Sequence, residues 1–280
     1  MDFTKYEAAG NTYIIANKDG FKLTSQHATT CCDAIYGIGG DGVITWKTSK
    51  KNQETESVHV DIFNPDGSLA EKSGNGLRIL ATFLFDHIFL DVDSLSLQTL
   101  GGEVTATRTH NKNRQKDQVL LEMGTVVSQF SLEPLANCSI FPNGIQVETA
   151  VGQLTGYPVS IGNPHFVIFD EALSAEKARK YGPHIENHSL FPNRTNVQFA
   201  KVIDSENISA EIWERGAGYT LSSGSSSCAI AAVAYQLGFC KSQITVSMPG
   251  GRLSIELAES GAIWLKGPVN KTVEGVFYIQ

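Results

Sequence analysis

The sequence predicts an α+β protein of two pseudo-symmetric halves with mainly antiparallel sheets. Three observations carry this expectation. Short alternating or β-branched runs, punctuated by Gly, Pro, Asn and Asp, fill most of the chain. Helical periodicity is confined to a few well-separated stretches. A strand, a loop and a helix recur in the two halves with matched spacing. The chain has 280 residues, 41% of them apolar, enough to bury one large core or two smaller ones.

Six strand-like runs occupy the first half: Tyr13 to Asn17, Gly42 to Lys47, Ser57 to Phe63, Ser94 to Leu100, Gly102 to Thr109 and Gln118 to Met123. The second half supplies Ile145 to Val151, Tyr157 to Ile161, Phe166 to Phe169, Thr195 to Val202 and Ile208 to Glu214. It continues with Gln243 to Met248, Leu253 to Ala258, Ala262 to Lys266 and Val273 to Tyr278. Two helices stand out. Gly76 to Leu90 places Leu77, Leu80, Leu84 and Ile88 on one face, and the Ala-rich run Ser226 to Leu237 does so with Ile230, Val233 and Ala234. Weaker helical patterns cover Thr24 to Cys32 and Ala175 to Tyr181.

The two strong helices define the repeat. In one half His59-Val60-Asp61-Ile62-Phe63-Asn64 leads through an acidic loop to Ser73-Gly74-Asn75-Gly76 and a helix; in the other, Ala210-Glu211-Ile212-Trp213-Glu214 leads to Ser223-Gly224-Ser225-Ser226 and a helix. Asn64 precedes Ser73 by nine residues, and Glu214 precedes Ser223 by nine. The expected division gives residues 1–118, completed by 269–280, to the N-terminal half and 119–268 to the C-terminal half.

Composition narrows the function. A net charge of -7 argues against a nucleic-acid or anionic-membrane partner, which would need clustered Lys and Arg. The start, Met1-Asp2-Phe3-Thr4-Lys5-Tyr6, lacks a basic region leading into an apolar run, and Leu77 to Leu90 is cut by Arg78, Asp86 and His87. A cytoplasmic location is expected. The five cysteines, Cys31, Cys32, Cys138, Cys228 and Cys240, show no C-x-x-C spacing, so neither a disulfide framework nor a metal site is signalled, and buried free thiols are expected.

A Ser-Gly-polar-small turn opening a helix presents backbone N–H groups with the positive end of the macrodipole behind them, a carboxylate or phosphate cradle. Singly, it only starts a helix. Two such turns facing each other would hold one small anion between Ser73 and Ser223, a geometry suited to removing a proton on one face and delivering one on the other. Asn64, Asn163 in Gly162-Asn163-Pro164-His165, Asn196, Glu214 and Arg215 could grip a polar amino acid, although Asn beside Pro or Gly is ordinarily a turn former. His165 reads as a core histidine unless an ionisable group lies beside it.

At these residues the chain closely resembles the diaminopimelate epimerase family. The matching segments include Phe3-Thr4-Lys5 with Gly10-Asn11, Phe63-Asn64-Pro65-Asp66-Gly67-Ser68, Gly74-Asn75-Gly76-Leu77-Arg78 and Gly162-Asn163-Pro164-His165. Further matches are Phe191-Pro192-Asn193-Arg194-Thr195-Asn196-Val197, Glu214-Arg215-Gly216-Ala217-Gly218 and Pro249-Gly250-Gly251. The resemblance implies two similar domains, each a barrel-like sheet around a central helix. It implies a cofactor-independent, metal-free epimerase interconverting LL- and meso-diaminopimelate for lysine and peptidoglycan precursors, with a homodimer left open.

The family works by two cysteines, one thiolate removing the α-proton and the opposite thiol donating one. Ser73 and Ser223 occupy those positions here, and Cys228 matches a different cysteine. The resemblance gives His165 and Glu214 the tuning of the catalytic pair. It gives Asn11, Asn64, Asn163, Asn196, Glu214 and Arg215 the substrate, while Gly74, Asn75, Gly224 and Ser225, as helix openings, are expected to donate N–H groups to its α-carboxylate. A thiol has a pKa near 8.5 and an alcohol lies several units higher, so most two-base activity is expected to be lost. The replacements fit an engineered substrate trap and a natural relative with altered chemistry alike. Tyr219 stands where the family usually has Glu, and Ser225-Ser226-Ser227 also departs from its pattern, which keeps a same-fold racemase of another amino acid, such as histidine, and a non-catalytic amino-acid binder as alternatives. A serine hydrolase is disfavoured because no G-x-S-x-G occurs.

Overall fold

The computed structural model describes residues 1–49, 56–109, 118–125 and 143–279. The chain forms two compact units, Met1–Glu122 with Lys266–Gln280, and Met123–Leu265. In the first unit the elements run β1 (Asp2–Ala8), β2 (Asn11–Ala16), α1 (Ser25–Cys32), β3 (Gly42–Ser49), β4 (Glu56–Phe63), α2 (Gly74–His87), β5 (Ser94–Thr99), β6 (Gly102–Thr109) and β7 (Gln118–Thr125). The second unit follows with β8 (Ile145–Thr149), β9 (Gly152–Ser160), β10 (Pro164–Phe169), α3 (Ala175–Glu186), β11 (Asn196–Val202) and β12 (Asn207–Glu214). It closes with β13 (Gly218–Thr220), α4 (Gly224–Gln236), β14 (Gln243–Met248), β15 (Gly251–Leu257) and β16 (Ala262–Lys266), and the last strand, β17 (Asn270–Val276), returns to pair with β1.

The repeat is explicit in the strand pairing. From β1 to β6 successive pairs are antiparallel, parallel, antiparallel, parallel, antiparallel. The series β9, β10, β11, β12, β14, β15 runs in the same sense. The two parallel pairs in each unit are those joined through a helix, since parallel neighbours need a crossover: α1 and α2 in one unit, α3 and α4 in the other. Registers correspond as well. Tyr13 pairs with Gly42 as His165 pairs with Asn196, and Val43 pairs with Phe63 as Val197 pairs with Trp213.

The central helices are buried nearly all round. α2 is buried continuously from Gly74 to Phe85 and packs on β1, β2 and β6, while α4 packs on β9, β10, β11, β14 and β15. A helix apolar on every side needs a sheet wrapped about it, which produces the barrel-like form of each unit. α1 and α3 instead cover the sheets with one face. Ala28, Cys31 and Cys32 join Phe3, Ile14, Val43 and Phe63 in one core, and Ala178 and Ile185 join Phe166, Val197 and Phe199 in the other.

Several element boundaries differ from the sequence expectation. Both central helices begin at the glycine after the serine, Gly74 and Gly224, rather than two residues later, because Ser73 and Ser223 are themselves the N-caps. α3 runs on to Glu186 through Pro183, and its Asn187 side chain donates to the Pro183 carbonyl. β1 was not evident because its charged residues mask the alternation that buries Phe3, Tyr6 and Ala8. β17 lies three residues earlier than expected at its start, having no buried face to set its limits. Cys31, Cys32, Cys228 and Cys240 are buried free thiols, whereas Cys138 lies outside the described residues. Burial pushes Cys31 up to about 11 and Cys32 up to about 12, so neither is a reactive thiolate near neutrality.

Candidate active site

Ser73 and Ser223 hold corresponding places. Each has extended backbone and caps a buried helix, Ser73 Oγ accepting from Gly76 N–H at 3.1 Å and Ser223 Oγ from Ser226 N–H at 3.4 Å. The next two N–H groups, on Gly74 with Asn75 and on Gly224 with Ser225, have no acceptor inside their helices and carry the positive end of the dipole. That is the arrangement of an anion cradle in each unit.

In the first unit the turn is braced from within. Arg78, fully buried, donates to the Gly74 carbonyl at 3.2 Å and to Asn75 Oδ1 at 2.8 Å. Asn75 in turn donates to Asn11 Oδ1 at 2.6 Å, so Asn11 and Asn75 share one network with the helix opening. Tyr13, two residues beyond Asn11, brings its hydroxyl to 3.0 Å from Ser73 Oγ. Its ring sits where Gly42 leaves room: a Cβ at Gly42 would lie 2.6 Å from Tyr13 Cε1 and 2.6 Å from the Phe63 carbonyl oxygen. Asn64 shapes the turn after β4 by donating to Ser68 Oγ at 3.0 Å while its backbone exchanges bonds with Ser68 and Gly67.

The second unit carries a different chain of groups. His165 is completely buried; its Nε2 meets Asn163 Oδ1 at 2.9 Å and its Nδ1 meets Gln198 Nε2 at 3.0 Å. Those partners assign the proton to Nε2. Gln198 also donates to Ser226 Oγ at 3.0 Å, and Ser226 N–H donates to the capping Ser223 Oγ. Burial, with a smaller contribution from the Arg215 charge, drives the His165 pKa down to about 3, so the imidazole is neutral.

Asn196 ties two loops together, donating to the Pro164 carbonyl at 2.8 Å and accepting from Arg215 N–H at 2.9 Å. Arg215 Nη1 donates to the Asn193 carbonyl at 3.2 Å. The Glu214-Arg215-Gly216 turn is held from behind by Glu186, whose carboxylate accepts from Gly216 N–H at 2.9 Å, Trp213 Nε1 at 2.7 Å and Arg194 Nη1 at 3.0 Å. Tyr219 is engaged away from this turn, its hydroxyl donating to Glu211 Oε2 at 2.6 Å under the Arg179 guanidinium.

The structure therefore brings Asn11 and Asn75 together beside Ser73, and Asn163 with His165 behind Ser223. It gives Asn64 and Asn196 visible turn and loop-bridging bonds. Tyr13, Gln198, Ser226 and Glu186 escaped the sequence reading. Tyr13 could have been found from the repeat, standing two residues after Asn11 as His165 stands two after Asn163. Glu186 had no local signal.

The fold is of the epimerase and racemase type. Over the whole chain it resembles a predicted epimerase from Pseudomonas aeruginosa, at 12% identity and TM-score 0.69 with 99% of that chain covered. It likewise resembles a probable proline racemase from Agrobacterium radiobacter, at 13% identity and TM-score 0.71 with 93% of that chain covered. The family model for diaminopimelate epimerase matches residues 3–128 and 157–272. Diaminopimelate epimerase 2 of Nostoc sp. strain PCC 7120 is 41% identical over 278 residues, covering 98% of this chain and 95% of that protein. Diaminopimelate epimerase of Leptospira biflexa is 32% identical, covering 98% of each. The chain belongs to the diaminopimelate epimerase family, and by class it is an isomerase, an amino-acid epimerase.

Proposed function

We propose that this chain binds diaminopimelate, the substrate of lysine and peptidoglycan precursor synthesis, with its α-carboxylate on the N–H groups of Gly74, Asn75, Gly224 and Ser225. The observation that carries the reading is the pair of serine-capped, buried helices at equivalent places in the repeat. In this reading Ser73 and Ser223 flank one α-carbon, and the cradle stabilises the charge that develops as the α-proton leaves. Asn11, Asn64, Asn163, Asn196, Glu214 and Arg215 orient the substrate, the Arg215 guanidinium suiting a distal carboxylate.

Neither serine is a base of thiolate strength, so two-base inversion in this chain is slow. His165 holds Gln198 and, through it, Ser226 at the helix opening; its neutrality keeps a positive charge from competing with the cradle. The reading invokes no cofactor: the backbone cradle binds the carboxylate, and proton transfer falls to side chains of the chain itself. The reading carries a cytoplasmic setting and leaves a homodimer open.

Calorimetric titration with LL- and meso-diaminopimelate tests it. Saturable binding of either isomer, weakened by Arg215→Ala, is expected. Equal affinity for an amino acid without a distal carboxylate would move the assignment to a same-fold racemase, and loss of all amino-acid binding would defeat both readings.

A further inference from the structure

We propose that Tyr13 is the proton partner of Ser73, so that this chain exchanges a substrate α-hydrogen on one face with retention of configuration. The inference rests on the proposed function for the placing of substrate beside Ser73. Among the described residues Ser73 Oγ has two partners: it accepts the Gly76 N–H at 3.1 Å, and it meets Tyr13 Oη at 3.0 Å. One hydroxyl proton lies on the line between serine and phenol, and either oxygen can donate it. A phenol, with an ordinary pKa of about 10, is a far better proton acceptor couple than an aliphatic alcohol alone.

The position is built rather than incidental. Tyr13 is buried in β2 between Tyr6 on β1 and Gly42 on β3, and Gly42 admits its ring where any Cβ would collide with it. Tyr6 is the titratable register partner, its hydroxyl turned to His87 Nε2 at 3.4 Å, and burial with the Asp86 charge raises it to about 12. On α2 the buried charge is Arg78, which is bonded to the Gly74 carbonyl and Asn75 Oδ1 beside Ser73. Glu7 and Asp41 on the neighbouring segments are committed to Gly10 N–H and to Thr12.

Among the described residues the second unit shows no equivalent. His165 takes the Tyr13 place in the register, but its Nδ1 meets Gln198 and not Ser223. Ser223 Oγ has only Ser226 N–H and, at 3.5 Å, Ser225 Oγ as partners among the described residues. One serine has an acid of useful strength and the other does not.

The step balances without a co-reactant. The Cα–H bond breaks and its electron pair stays on the substrate as a carboxylate-stabilised carbanion. The proton joins Ser73 Oγ while the Ser73 hydroxyl proton passes to the Tyr13 phenolate. Reversal after solvent exchange at Tyr13 returns deuterium to the same face.

The test follows the α-proton of LL- and meso-diaminopimelate by NMR in D2O between pH 7 and 10, with chiral analysis of the recovered amino acid. The parent chain should exchange with retention, the rate rising about tenfold per pH unit below the phenol pKa. Tyr13→Phe, checked for an intact melting transition, should lose about 100-fold and the pH slope. A fluorinated tyrosine at position 13 should move the profile to lower pH. Absence of exchange in the parent, or an unchanged rate and slope in Tyr13→Phe, overturns the assignment. The Ser73→Cys, Ser223→Cys variant separates the two ideas: if it epimerises diaminopimelate while parent exchange ignores Tyr13, only the Tyr13 inference fails, and if it turns over nothing, the epimerase reading fails.

Discussion

Replacing Ser73 and Ser223 together by cysteine should raise epimerisation and lower stability, and both magnitudes follow from the same two oxygen atoms. A positioned general base contributes roughly 100- to 10,000-fold, so the double variant should gain at least about 100-fold over the parent in conversion of LL- to meso-diaminopimelate. A single cysteine should give little inversion, because one thiolate can remove a proton but has no matched thiol opposite. The stability cost comes from capping. Sulfur is a weak acceptor, so Ser73→Cys forfeits the 3.1 Å bond from Gly76 N–H, worth about 1 kcal/mol, and the Tyr13 contact, worth about 0.5 kcal/mol. The Ser223 cap is longer at 3.4 Å and contributes about 0.5 kcal/mol. The double variant should therefore lose about 2 kcal/mol, read as a shift in urea midpoint at constant slope. Chiral chromatography of the product gives the rate and denaturation gives the cost. Epimerisation by the parent at the rate of the double cysteine variant would falsify the thiol-based account of this site, and an unchanged midpoint would refute the capping roles.

Three further outcomes are expected. Glu186→Gln leaves an amide N–H facing the donors of Gly216, Trp213 or Arg194, so it should cost about 2 kcal/mol and weaken diaminopimelate binding several-fold through the loosened Arg215 turn, measured by denaturation and calorimetry. Gly42→Ala forces a Cβ to 2.6 Å from the Phe63 carbonyl and the Tyr13 ring, and should destabilise by about 1–3 kcal/mol while displacing the phenol from Ser73; a melting point equal to the parent's would count against the packing described. His165, with a folded pKa near 3 against an ordinary 6.5, stays neutral while the unfolded chain takes up a proton. Its contribution to stability is therefore intact above pH 6.5 and falls by about 1.4 kcal/mol per unit as pH drops toward 3; a His165→Gln variant should lack that slope in pH-dependent denaturation.

Much of the architecture was legible because it is local and repeated. The two central helices, most strands and the equivalence of Ser73 with Ser223 rest on periodicity, turn residues and constant spacing, which survive in the linear chain. The order of parallel and antiparallel pairs was implicit in the same pattern, since each helix between strands demands a crossover. The helix starts were misjudged by two residues because a glycine after serine reads as loop until its capping bond is seen.

The amino-acid sequence by itself determined the family and the two-unit plan, and it placed serine at the two positions where the family resemblance implies proton-transfer thiols. Only the tertiary structure decided what surrounds Ser73 and Ser223. Tyr13 lies 60 residues from Ser73 and reaches it because β2 lies against the opening of α2. Gln198 connects His165 to Ser226 only because β10 and β11 pair in parallel beside α4. Glu186 ends a helix far in sequence from the turn it holds. Such contacts depend on which strands become neighbours, and long-range pairing leaves no periodic trace in the residues that make it.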